Sequence, residues 1–244
     1  MKILNRNFRR ALPGIVLLVA AACCSAGSIQ INPVRIDLSD AAKVAVLTVR
    51  NTGSEESVVQ VTLNRWTQDG SRDAYAQSQE LVVTPTTFRL APDQQQIVRI
   101  GLRQGAPSLI EGSYRLLVEE VPPPPTPGVS ETRLVIRQDL PVFVAPVAQT
   151  RAALDFSVDC SAEGDRLRLS NVGKVHALLQ SVRLEGSASH RFIADWDTFD
   201  YLLPEAQKSW NLDQVAPGAA GKGFVLIAQT DQGSFTADVK NSCR

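Results

Sequence analysis

The chain has 244 residues, 44% of them hydrophobic and 20% charged, with 25 Lys plus Arg against 25 Asp plus Glu. This is ordinary globular composition, with length for two sandwich domains of the usual size. A formal net charge of zero gives no ground for a nucleic-acid partner or any strongly charged one.

Residues 1–26 read as a secretory signal. Lys2, Arg6, Arg9 and Arg10 form a basic start, Ala11–Ala22 is an apolar run too short to span a bilayer comfortably, and Cys24-Ser25-Ala26 offers small residues for cleavage before Gly27. A lipoprotein signal ending at Cys23 competes, but Ala20 stands where such a signal usually has Leu. No later stretch is long and apolar enough to span a membrane, so no membrane insertion is expected. Cleavage leaves two cysteines, Cys160 and Cys243, and in an exported chain these most simply form one disulfide.

From Ser28 onward, short strand-like runs alternate with turn residues. Ile29–Leu38 alternates around Pro33. Lys43–Arg50 is rich in β-branched residues and ends at Asn51-Thr52-Gly53. Val58–Thr67 puts Val59, Val61 and Leu63 on one face and then reaches Trp66, which reads as a buried sandwich tryptophan. Leu81–Val83, Phe88–Leu90, Ile97–Leu102 and Tyr114–Val121 follow, then a polyproline loop over Pro122–Gly128. Thr132–Val144 reads as one long strand, with Leu134, Ile136, Leu140, Val142 and Val144 on a single face. Pro141 cannot donate to a ladder, so this strand is expected along a sheet edge or with a bulge there. A greasy edge strand invites another chain to pair with it, so the protein either hides that face or uses it. Ala145-Pro146 marks a boundary, and a second series of strands runs from Ala153 to Val239. No amphipathic helix of useful length appears. Strands recurring about every 8–12 residues predict an all-β fold of two immunoglobulin-like β-sandwich domains. The division is 27–146 and 147–244, with the cysteines near the first and last strands of the second domain.

Enzyme chemistry finds no support. His176 and His190 are the only histidines and neither has a neighbour at metal-ligand spacing, so no metal and no cofactor are expected. No nucleophile elbow or phosphate loop occurs, and pairing scattered carboxylates as a glycosidase dyad would be arbitrary.

The order of several short pieces resembles the PapD-like family of periplasmic pilus chaperones over essentially all of 28–244. These pieces are Asn32-Pro33-Val34-Arg35, Thr48-Val49-Arg50-Asn51-Thr52-Gly53, Phe88-Arg89-Leu90-Ala91-Pro92, Val98-Arg99-Ile100, Tyr114-Arg115-Leu116, Glu120-Val121-Pro122-Pro123 and Leu140-Pro141-Val142-Phe143-Val144. The resemblance implies a boomerang of two domains with a cleft between them. It implies a periplasmic protein that lends its edge strand to pilus (fimbrial) subunits lacking a strand, then delivers them to an outer-membrane usher. Thr132, Leu134 and Ile136 would be the lent side chains of donor strand 132–144, and Leu140, Val142 and Val144 would stay in the core. Arg35 falls where the family grips the subunit's C-terminal carboxylate. Two departures stand out. Pro141 occupies the place of the family's second cleft cation, a lysine, which another cation or backbone N–H groups would have to replace. Ala145 stands where an interdomain arginine would join Glu111 and Asp231, so either the domain angle is held some other way or a different cation is recruited. Both departures suggest a divergent branch, the archaic one being the candidate. The alternative reading is a structural or adhesive β-sandwich protein of a fibre or the envelope.

Overall fold

The computed structural model describes residues 29–70, 72–103, 108–122, 135–159, 164, 166–186, 192–211 and 223–240; of 192–197 and 240 only the backbone is described. All of its elements there are strands. Strands β1 (Ile29–Asn32), β3 (Val44–Asn51), β8 (Gln95–Leu102) and β6 (Leu81–Thr84) form one sheet in the order β1-β3-β8-β6. Opposite it lies a sheet of β2 (Ile36–Leu38), β10 (Arg137–Val144), β9 (Gly112–Val121), β4 (Ser57–Asp69) and β5 (Arg72–Gln77), in the order β2-β10-β9-β4-β5. In that sheet β7 (Thr87–Leu90) also pairs with β4.

Alternation explains the packing. Leu47, Val49, Val98 and Ile100 of the first sheet meet Val59, Val61, Leu116, Val118, Leu140 and Val142 of the second in one core. The alternating run over 29–38 is two strands rather than one. The cis Asn32–Pro33 bond lies between β1, paired with β3, and β2, which crosses to the other sheet and runs parallel to β10. Strand β5 has every side chain exposed and so carries no hydrophobic period to mark it in the sequence.

A second sandwich follows. Its smaller sheet is β11 (Leu154–Asp159), β12 (Arg166–Asn171) and β15 (Gln207–Asn211). Its larger sheet is β14 (Phe192–Leu202), β13 (Ala177–Gly186), β16 (Gly223–Thr230) and β17 (Gly233–Lys240), in that order. Strand β14 is one long strand of 11 residues.

The two sandwiches repeat one device. In the first, buried Asn51 donates from its amide to the carbonyls of Glu55 and Leu90, and its Oδ1 accepts from Gly53 N. In the second, buried Asn171 donates to Val175 and Leu202, and its Oδ1 accepts from Gly173 N. Each asparagine carbonyl also accepts a backbone N–H from a residue in the left-handed region, Asp93 in one domain and Glu205 in the other. One side chain thus satisfies several turn groups that would otherwise be buried unpaired. Glycine is required at 173, because a Cβ there would lie 2.4 Å from the Ala153 backbone nitrogen.

Asn171→Ala should therefore remove the side-chain partner of two carbonyls and two backbone N–H groups, those of Gly173 and Ala153, and destabilise the second sandwich by about 2–4 kcal/mol. Denaturant unfolding monitored by far-UV circular dichroism checks this. Asn51→Ala should behave alike in the first sandwich.

Candidate functional site

The sheet containing β10 has two buried faces at one end. Leu140, Val142 and Val144 point into the first sandwich. The other parity carries Phe143, and with it Trp66 of β4, both 1% exposed. These two pack into the hydrophobic cluster of the second sandwich rather than that of their own. The expected burial of Trp66 is thus seen, but the hydrophobic cluster it joins is that of the other domain. Phe143, apolar although it lies off the parity of Leu140, Val142 and Val144, is explained in the same way.

Phe143 is the centre of an aromatic junction. The His176 ring stacks on it with centroids 3.7 Å apart and planes 11° from parallel. Tyr201 of β14 stands 5.4 Å from Phe143, 5.7 Å from Trp66 and 5.4 Å from His176. Polar groups lock the same seam. Gln68 donates its amide to the Tyr201 carbonyl and accepts from Leu203 N, as a peptide unit of a neighbouring strand would. Glu111 N donates to the Lys174 carbonyl.

Glu111 and His176 carry the charge logic of this seam. The Glu111 carboxylate, 8% exposed, accepts from both the backbone N and Nδ1 of His176, at 3.0 and 2.6 Å. With a carboxylate as acceptor, Nδ1 carries the hydrogen. The opposite ring nitrogen, Nε2, is buried without a hydrogen-bond partner, and Asp231 Oδ2 is 3.8 Å away. His176 therefore stands between Glu111 and Asp231, the two acids that the sequence left without a counter-group once Ala145 was found in the arginine's place. The sequence reading passed over His176 as plain surface or core.

Arg35 is placed at the mouth of this junction. It directly precedes Ile36, the parallel partner of Val142, and so stands level with Pro141 on the cleft face. Its guanidinium is held by Asp37 through three contacts of 2.9–3.1 Å and by Asp231 through one of 3.4 Å. It lies 5.0 Å from the centre of the Phe143 ring. Partial burial works against its charge, but Asp37 above all, with Tyr201 and Asp231, holds its pKa above the ordinary arginine value.

A second arginine faces the cleft. Arg115 of β9 is the direct cross-strand neighbour of Pro141. Its side chain is 15% exposed, its guanidinium lies 3.7 Å over the Trp66 ring, and its Nε is buried without a partner. Its acid, Asp139, is 3.7 Å away. Pro141, itself buried, is thus flanked by Arg35 on one side and Arg115 on the other. The sequence reading quoted Arg115 only as part of a strand. The signal that could have found it is parity: with Tyr114 and Leu116 inward, Arg115 faces the cleft.

The donor-strand residues fare unequally. Thr132 and Leu134 lie outside the described residues, as do Cys160 and Cys243. Ile136 is half-buried and its carbonyl accepts from Glu120 N. Among the described residues, strand β10 is paired on one side only over Arg137–Pro141 and becomes interior at Val142–Val144, where β2 pairs with it. Pro141 falls where the open edge ends. Gln138, between Ile136 and Leu140 on the apolar parity, donates to the Ile29 carbonyl of β1.

The fold and this junction define a two-domain immunoglobulin-like protein with a half-open edge strand beside a cleft holding two arginines. Residues 28–150, just over half of the chain, match the family model of the pili and flagellar-assembly chaperones, PapD N-terminal domain. The chain belongs to that family. No curated protein sequence matches it. Among solved structures it is similar to the CsuC–CsuE chaperone–tip adhesion subunit pre-assembly complex from the archaic chaperone–usher Csu pili of Acinetobacter baumannii. That match has 20% identity over 87% of this chain and 98% of the other, with a TM-score of 0.66. It is also similar to the class 5 fimbriae chaperone CfaA, at 15% identity, 87% and 99% coverage and a TM-score of 0.63. A third match is the complex of Salmonella enterica SafA pilin with the SafB chaperone, at 23% identity, 86% and 96% coverage and a TM-score of 0.57.

Because Glu111 and His176 satisfy each other in a buried seam, Glu111→Ala and His176→Ala should each destabilise the protein, and the double variant by less than their sum. A coupling of about 1–3 kcal/mol is expected from urea unfolding of the four proteins. Additive losses would show that the contact carries no energy.

Proposed function

We propose that this pilus-assembly chaperone works in the periplasm, where its open β10 edge completes pilus subunits that lack a strand and presents them to an outer-membrane usher. The observation that carries this reading is the change in β10 along its length. Its lower half is locked between β2 and β9 with Val142 fully buried, while its upper half has, among the described residues, one edge without a pairing strand. Backbone pairing along that edge supplies affinity. Side chains of one parity, Ile136 with Leu134 and Thr132 ahead of it, enter the subunit's groove and set the register. Among the described residues, no helix is long and apolar enough to cross a membrane.

In this reading Arg35 and Arg115 together hold the subunit's C-terminal carboxylate. A guanidinium suits that task because it is always charged and presents paired donors. Arg115 supplies from β9 the cation that Pro141 cannot supply from β10. Phe143 and Trp66 form a floor that keeps water away from both. The division of the chain follows the linker, with 1–26 removed on export, 27–146 carrying the edge and 147–244 closing the cleft. The archaic branch fits the same arrangement.

Arg35→Ala and Arg115→Ala should each reduce capture of a co-expressed subunit about a hundredfold or more while the chaperone stays folded, because each removes a charged partner from a desolvated contact. Pull-down through the chaperone with quantified subunit tests this. Unchanged capture by both variants would refute the cleft assignment.

Strands β11 and β17 lie against each other and end shortly before Cys160 and Cys243, which supports a disulfide tying the second sandwich's ends. Denatured, unreduced protein should then show no reactive thiol per mature chain, and two would contradict the bridge.

A further inference from the structure

Asp231, in the turn between β16 and β17, stands between the Arg35 guanidinium and the His176 ring and is committed to neither. Its Oδ1 accepts from Leu178 N at 2.9 Å, which fixes the carboxylate in place. Its Oδ2 stands 3.4 Å from Arg35 Nη1 and 3.8 Å from His176 Nε2. Both distances exceed the roughly 2.7–2.9 Å of a committed charged hydrogen bond. Arg35's other acid, Asp37, lies only two residues further on, in β2, and is held at 2.9–3.1 Å. Of the two acids on Arg35, Asp231 is therefore the one that an incoming carboxylate displaces.

We infer that Asp231 is a relay: it occupies Arg35 in the free chaperone, and when a subunit carboxylate takes Arg35 it turns to His176 Nε2 and tightens the seam between the domains. This rests on the reading of Arg35 as the carboxylate anchor.

The protons can be followed. Nδ1 already gives its hydrogen to Glu111, so a hydrogen on Nε2 must come from solvent, and the ring becomes an imidazolium between two carboxylates. The charged and titratable groups facing the ring are Glu111 at the head of β9, Asp231 from the β16–β17 turn, Tyr201 of β14, and Arg35 ahead of β2, which reaches it through Asp231. Phe143 of β10 covers one ring face and is neutral. In the free chaperone, Arg35 balances Asp231. In the complex the subunit carboxylate neutralises Arg35, and the imidazolium takes over Asp231. The buried Nε2, unpartnered in the free chaperone, gains its partner only on capture.

The relay makes subunit capture take up a proton, and this is what the experiment reads. The mature chaperone is titrated calorimetrically with a synthetic peptide copying about the last dozen residues of the co-expressed subunit, as free acid and as C-terminal amide. The titrations are run near pH 8, where an imidazole is ordinarily neutral, in phosphate and in Tris, whose ionisation heats differ. The difference in heat between buffers counts the protons. The free acid should bind at least about tenfold more tightly than the amide and take up about one proton, and the amide should take up none. Asp231→Asn keeps an acceptor for Leu178 N, and with it, as with His176→Gln, free-acid uptake should fall to zero. Tight, acid-selective binding with no uptake, or uptake that survives both substitutions, overturns the relay and leaves the anchor standing. Equal binding of acid and amide overturns the anchor assignment of Arg35, and the relay with it.

Discussion

The sheet β2-β10-β9-β4 must bury side chains on both of its faces, and the architecture follows from that constraint. A strand offers only two faces. Along β10 the even residues Leu140, Val142 and Val144 fill the first sandwich, while Phe143 is driven into the second. A sheet with one wet face would need nothing beyond its own sandwich. This one leaves Phe143 and Trp66 uncovered unless the second domain covers them. Their burial to 1% ties the two domains through apolar contact worth several kcal/mol, before any polar group is counted. Pairing with β2 reaches only to Val142, opposite Ile36, and stops short of Pro141. Beyond that point the strand keeps one ladder and loses the other, and the edge becomes available to another chain.

The electrostatics depend on the same surface. Two arginines lie over aromatic rings, Arg115 well buried and Arg35 partly so, and the hydration of each is reduced. Acids hold them in the free protein: Asp37 and Asp231 at Arg35, Asp139 at Arg115. These contacts are of unequal quality: Asp37 is tight against Arg35, whereas Asp231, across the domain seam, and Asp139, on the strand beside Arg115, stand 3.4 and 3.7 Å from their arginines. A site that must release its internal partners to accept an external one is built most simply in this way. His176 fits the pattern as the group that separates Glu111 from Asp231.

Much of this was legible in the sequence, for a physical reason. The alternation of Leu140, Val142 and Val144, the break at Pro141 and the exclusion of Phe143 from the core parity all follow from the two-residue period of a strand. Arg35 was found from a local motif. Arg115 and His176 were not, because their significance comes from neighbours distant in the chain. Arg115 matters through cross-strand register with Pro141, and His176 through contact with another domain. Neither leaves a periodic trace. The separation of Ile29–Leu38 into strands of two sheets was hidden because alternation continues through Pro33. Strand β5 was hidden because an arm with no buried side chain has no hydrophobic pattern.

The central claim is that the upper half of β10 is an open edge that a subunit completes. Amide hydrogen exchange of residues 132–141, compared between the free chaperone and its subunit complex, tests it most directly. The account predicts that amides in this stretch exchange quickly in the free protein and are slowed by orders of magnitude in the complex, while those of Val142–Val144 are protected in both. Exchange in 132–141 that is unchanged by the subunit would contradict it.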